Sequence, residues 1–287
     1  MTQSLRELVE AELGVPVDPR ITEVARAIAA RHGQASRAVL FYGSCLREKQ
    51  LDGLMLDFYL IVSDYGAAYD KRWLARANNL IPPNVFPFQH GDLAAKYAVL
   101  SERDFHRLCG PETRNVSVWA RFAQPSRLVW QKNSEAANGV VTSVARAAPT
   151  LLGSARPFPA GDELEPWRQA FSLTYSAELR AERKGRSGSI VDTDPDRYRL
   201  FLQPALEAIE PNAPRSNWAR RRIEGKLLSV VRLAKASATY AGGAEYIAWK
   251  INRHAGTDIE LKPWQKRHPL LAAISLLPRL LRSGAIR

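Results

Sequence analysis

Three residues in the first quarter of the chain have types and spacing suited to phosphate chemistry. Gly43 and Ser44 follow the apolar run Val39-Leu40-Phe41-Tyr42, and Asp57 stands near the start of a second apolar run. A glycine lets phosphate approach backbone N–H groups, a serine hydroxyl donates to phosphate oxygens, and a carboxylate holds a magnesium ion bridging them. Together they fit half of a site for nucleotidyl transfer, with Tyr42, Gly43 and Ser44 on the nucleotide and Asp57 and Ser44 on the metal. The bland alternative is an ordinary turn beside a structural acid, but an acid inside an apolar run is costly to bury without a cation.

Such a strand commonly carries two carboxylates separated by one residue, so that both face the same way. The second position here is Tyr59. A further ligand must then come from Asp52, Asp64, Asp92 or Asp104, or the metal is held by fewer protein oxygens. Lys96 opens the run KYAVL, and Arg121 lies between Trp119 and Phe122. Either could neutralise charge on a transferring phosphoryl group, and either could be a solvated strand end or a packed amphipathic side chain. His90, in a proline-rich stretch, could be a base or a surface residue. No serine-hydrolase elbow or HExxH helix occurs, so the chemistry in view needs no protein nucleophile.

The elements that must position these residues are a strand ending at Tyr42, a glycine turn leading to a short helix or loop, and a strand carrying Asp57. Helical spacing predicts helices over residues 4–13 and 21–32. A short helix is expected over 74–80, after which Pro82, Pro83 and Pro87 exclude regular structure. Strand 96–100 leads into a helix capped by Ser101. A helix at Trp119, a short strand over 127–130 and one helix over 133–152 follow. Residues 157–166, rich in proline, glycine and acids, form the expected boundary. Beyond them, helices are expected over 167–183, within 194–209 and over 218–238; Gly242 and Gly243 interrupt the last, which resumes over 244–254. The basic segment 180–189, with Lys184 and Arg186, reads equally as a phosphate-closing loop and as a linker. Residues 269–287 set Arg279 and Arg282 among leucines, as in a membrane-surface helix.

The 287 residues are 46% hydrophobic, enough for a substantial core, and the formal charge of +12 points to an anionic partner: nucleic acid, membrane or phosphate-rich substrate. Two cysteines without metal spacing, no import signal and no apolar run of spanning length point to a cytoplasmic, soluble or peripheral protein.

The motifs FYGSCL (41–46), MLDFYLIVSD (55–64), AKYAVLSERDF (95–105) and SVWARFAQPSRLVW (117–130) resemble the mitochondrial-type phosphatidate cytidylyltransferases, the family of translocator assembly and maintenance protein 41, and their bacterial relatives. Later stretches, SLTYSAELRAE, RYRLFLQPAL and GKLLSVVRLAKASATYAGGAEYIAWKI, are similar to the family's second domain. That family also has a single aspartate followed by an aromatic in this strand, although residues 122–125 depart from its pattern. The resemblance implies an α+β fold: a nucleotidyltransferase domain with a mixed sheet (1–156), a mainly helical, winged-helix-like domain (157–268) and a membrane-binding amphipathic tail (269–287). It implies transfer from CTP to phosphatidic acid, giving CDP-diacylglycerol and pyrophosphate, with magnesium, on the inner face of the cell membrane. Catalytic roles then fall to Asp57, Lys96 and Arg121, and contacts with lipid or membrane to Lys184, Arg186, Arg279 and Arg282. Nucleic acid is not the expected partner, although transfer to RNA and a non-catalytic binding protein are the alternatives; homo-oligomerisation stays open.

Overall fold

A computed structural model describes residues 3–47, 51, 53–178, 190–210, 216–239 and 262. Asp52, Lys184, Arg186, Arg279 and Arg282, the glycine interruption after 240 and the expected tail helix lie outside the described residues.

The fold is mixed α+β, built on a five-stranded sheet. Its strands are β1 (Ser36–Tyr42), β2 (Met55–Val62), β3 (Asn84–His90), β4 (Leu93–Ser101) and β5 (Ser126–Gln131). They lie in the order β3-β4-β2-β1-β5; β2 and β4 run parallel and the other pairs antiparallel. The period-2 alternation of each strand divides its side chains between two faces. Val39, Phe41, Phe58, Leu60 and Val99 pack with α2 (Pro19–Ala30) on one face. Leu40, Tyr59, Ile61, Ala98 and Leu100 join a larger core on the other. That core takes in α1 (Leu5–Leu13), α5 (Glu102–Cys109), α6 (Trp119–Phe122), α7 (Ser134–Val144), α8 (Ala147–Ala155), α9 (Glu165–Ala177) and α10 (Pro195–Glu207). Trp119, Trp167, Phe171 and Tyr198 are completely buried in it.

Two short helices, α3 (Tyr65–Ala68) and α4 (Arg72–Leu80), connect β2 to β3, and the long α11 (Trp218–Thr239) packs on α9 and β3. The expected cap is present, Ser101 accepting from the Asp104 N–H; in addition Ser4 closes a capping box with Glu7. No helix among the described residues is long and apolar enough to cross a membrane.

Three expectations need correction. Pro87 does not exclude regular structure: it lies within β3, opposite Lys96, where an edge strand spares it a ladder hydrogen bond. The helix expected over 133–152 is two, α7 and α8. Pro149 has no N–H to offer the Ala145 carbonyl, and the chain turns at residues 145–146. The helix expected from 167 to 183 ends earlier, at Ala177, because Glu178 adopts extended backbone.

Candidate active site

Strand register alone brings the first set of residues together. Tyr42 on β1 and Lys96 on β4 both pair with Asp57, which places three polar side chains in one row across three strands. Lys96 Nζ lies 2.8 Å from Asp57 Oδ1, each side chain about a quarter exposed. The pair is ionic, yet Oδ1 is buried and takes no well-directed hydrogen bond. Gly43 follows β1 with φ +97°, a conformation that side chains strain, and its α-carbon faces the same carboxylate: a β-carbon there would lie 3.4 Å from Asp57 Oδ2. Ser44 then opens a short 3-10 turn through Arg47. The glycine thus serves both a turn and a close approach.

These residues line a cavity of about 450 Å³ between the sheet, the α6 region, the end of α9 and the inner face of α11. Among the described residues four cations reach it, Lys96, Arg121, Arg232 and Lys235, against two acids, Asp57 and Glu178. Such an excess suits an anionic ligand. Arg121 Nη1 donates to Tyr59 Oη and to the Ser117 carbonyl, both at 3.1 Å, and its guanidinium lies over the Tyr42 ring at 5.2 Å. Burial alone would lower its pKa; the Tyr59 and Tyr42 hydroxyls, Glu178 and Asp57 reverse the sign and raise it, so the charge is permanent. Burial first, and then the Asp57 charge, push the Tyr42 hydroxyl well above its usual value and keep it protonated.

Arg232 and Lys235 stand on one face of α11, three residues apart. Arg232 donates to the Pro82 carbonyl and, at 2.6 Å, to Ser117 Oγ; Lys235 donates to the Ile81 and Pro83 carbonyls. Carbonyl oxygens hold these cations in place without cancelling their charge. Burial, and then repulsion from Arg232, lower Lys235 to about 7. Burial likewise lowers Arg232.

Tyr42, Gly43, Ser44, Asp57, Lys96 and Arg121 therefore share one cavity. Of the carboxylates considered as partners of Asp57, Asp52 lies outside the described residues, and Asp64, Asp92 and Asp104 do not join the cavity. Asp64 caps α3, and buried Asp104 accepts from Tyr65 Oη at 2.8 Å. Both lie beyond the far end of β2, about 16 Å along the strand. Asp92 is exposed in the β3–β4 turn and His90 at the exposed end of β3. The second acid of the cavity is instead Glu178, brought in where α9 unwinds. Oxygen donors for a metal are Asp57, Ser44 and Glu178; among the described residues no group of three or more His, Cys, Asp or Glu could hold an ion. Sequence reasoning missed Glu178, Arg232, Lys235 and Ser117. The i, i+3 spacing of Arg232 and Lys235 was the one signal available for them.

No protein-family model matches the chain, and no curated protein matches it significantly. Among solved structures, that of a nucleotidyltransferase-like protein from Exiguobacterium sibiricum 255-15 aligns over 92% of both chains, at 12% identity and a TM-score of 0.29. So low a score carries no weight for fold or activity. None of these comparisons names the cytidylyltransferase family that the sequence motifs resemble.

Proposed function

We propose that the chain is a nucleotidyltransferase, and specifically a phosphatidate cytidylyltransferase working at the inner face of the cell membrane. The observation that carries the reading is the meeting of Gly43, Asp57 and Lys96 at one end of a cation-rich cavity. The motif resemblance supplies the nucleotide and the acceptor.

In this mechanism the backbone around Gly43 and the Ser44 hydroxyl hold the triphosphate. The donor set fits magnesium, an ion that takes one or two carboxylates and otherwise substrate phosphates. Asp57, with a poorly satisfied Oδ1, and Ser44 would hold it; Glu178 lines the same cavity. When bound, magnesium supplies charge neutralisation and orientation of the phosphates. Lys96 exchanges its pairing with Asp57 for the phosphates. A phosphate oxygen of phosphatidic acid attacks the α-phosphorus of CTP in line, the bond to the β-phosphate oxygen breaks, and pyrophosphate leaves. Arg121 holds permanent positive charge where negative charge develops, and catalysis is positioning plus charge stabilisation.

Incubation of the protein with each of CTP, ATP, GTP and UTP, magnesium and phosphatidic acid vesicles tests this directly. CDP-diacylglycerol with CTP alone is the expected product. Transfer to RNA instead would redirect the acceptor. Absence of pyrophosphate release with every nucleotide and acceptor would leave the fold as a binding module.

A further inference from the structure

The helix α4 disposes of its side chains in an unusual way. Only Asn78 is fully buried on it. The Asn78 amide donates to Tyr69 Oη at 3.2 Å and to the Val99 carbonyl at 3.0 Å, and its oxygen accepts from the Asn84 N–H at 2.5 Å. Leu74 and Ala75 are only partly buried against the neighbouring core. A polar pin fastens this helix more than apolar packing does.

Its tryptophan and its last leucine reach solvent. Trp73 is 47% exposed and Leu80 is 81% exposed. With Ala77 they fall at i, i+4 and i+7, one stripe of a helix. Exposed Arg72 and Arg76 lie along one side of the stripe, and the helix RWLARANNL contains no acid, with exposed Asp70 and Lys71 just before it. Water gains nothing from an exposed tryptophan–leucine stripe, and a core would have no use for its arginines. An anionic bilayer surface accommodates both, with indole and leucine entering the headgroup boundary and the cations lying among lipid phosphates.

The position of α4 gives the contact a direction. The helix runs straight into Ile81-Pro82-Pro83, whose carbonyls hold Arg232 and Lys235, and Pro83 lines the cavity. We infer that α4 is a membrane-docking helix that seats Trp73 and Leu80 in an anionic lipid surface beside the rim of the cavity. The contact shares with the proposed function only the lipid surface. Product formation tests that function and vesicle docking tests this helix, so either can fail alone.

The test uses the full chain carrying Leu80→Cys labelled with an environment-sensitive fluorophore, with Trp73→Ser/Leu80→Ser and Arg72→Gln/Arg76→Gln as companions. The described cysteines, Cys45 and Cys109, are buried and should escape labelling. Vesicles of mixed phosphatidylglycerol and phosphatidylcholine should shift the label to the blue, whereas pure phosphatidylcholine should not. Each double variant, folded by circular dichroism, should lose about tenfold or more of its vesicle affinity. The inference is overturned by an unmoved label in a protein that sediments with the vesicles, by absence of sedimentation, or by wild-type affinity in the Trp73/Leu80 variant. Protection of position 80 by a protein but not by vesicles would also overturn it.

Discussion

Arg121 Nη1 donates to Tyr59 Oη at 3.1 Å, on the strand face that also carries Asp57 two residues earlier. Where a second carboxylate would collect another cation, this chain has a phenol that holds an arginine. Removing the hydroxyl in Tyr59→Phe leaves Arg121 with the Ser117 carbonyl and the ring of Tyr42. Loss of a hydrogen bond to a partly buried charged group should cost about 1–3 kcal/mol of stability. Denaturant titration measures that cost, and turnover should fall with it because Arg121 is less well fixed.

Gly43 is held at φ +97° against the Asp57 carboxylate. In Gly43→Ala the backbone is strained and the new methyl comes into contact with Oδ2. A stability loss of about 1–3 kcal/mol is expected, with nucleotide affinity falling much further than stability does. Thermal melting with and without nucleotide separates the two effects. A glycine needed only for the turn would show the first and not the second.

Asp57→Asn keeps the shape and removes the charge paired with Lys96. Each side chain is only about a quarter exposed, so losing the charge that faces Lys96 should cost about 1–3 kcal/mol of stability and lower the melting temperature. Magnesium-dependent pyrophosphate release should be abolished. Full activity in this variant would exclude Asp57 as a metal ligand.

The sheet and the first half of the cavity were legible because their signals are local. An apolar run ending in Gly43, an acid within the next strand and a lysine at the head of KYAVL need only strand register to meet, and parallel pairing of β2 with β4 sets Lys96 opposite Asp57. The other wall was not legible. Glu178 enters because α9 stops at Ala177, although nothing in its periodicity ends there. Arg232 and Lys235 enter because α11 packs on β3, a contact distant in sequence that amphipathic spacing does not specify. Pro87 was misread for a related reason: proline argues against a central strand, and sequence does not say which strand is the edge.

His32 links acid to unfolding. Burial lowers its pKa below 6.5, outweighing the hydrogen bond to the Ala68 carbonyl; its other ring nitrogen lies 3.2 Å from Tyr97 Oη. With the folded-state pKa depressed, the unfolded chain binds the proton first. The contribution of His32 is therefore fully present above pH 6.5 and is lost as pH falls below it. Melting temperature should drop between pH 7 and pH 5.5, and the drop should shrink in His32→Gln.

Lys235 carries the pH dependence of the cavity itself. With its pKa lowered to about 7 by burial and by Arg232, its ammonium is partly deprotonated at neutral pH and largely so at pH 8. An anion in the cavity favours the charged form and raises that pKa, so binding must take up protons on the alkaline side of 7. Affinity for pyrophosphate should then weaken as pH rises from 7 to 8.5, and calorimetry in buffers of different ionisation enthalpy should register the uptake. Lys235→Met should bind more weakly at pH 7 and lose both the alkaline slope and the buffer dependence. The folded-state pKa also lies below the lysine value of 10.5, so stability from this group is complete only above 10.5 and declines as pH falls toward 7. Lys235→Met removes that decline, so it should melt no lower than the wild type at pH 7 even though it binds the anion less well. Weaker binding without lost stability distinguishes a cation that serves the ligand from one that serves only to brace α11 against the loop at Pro82.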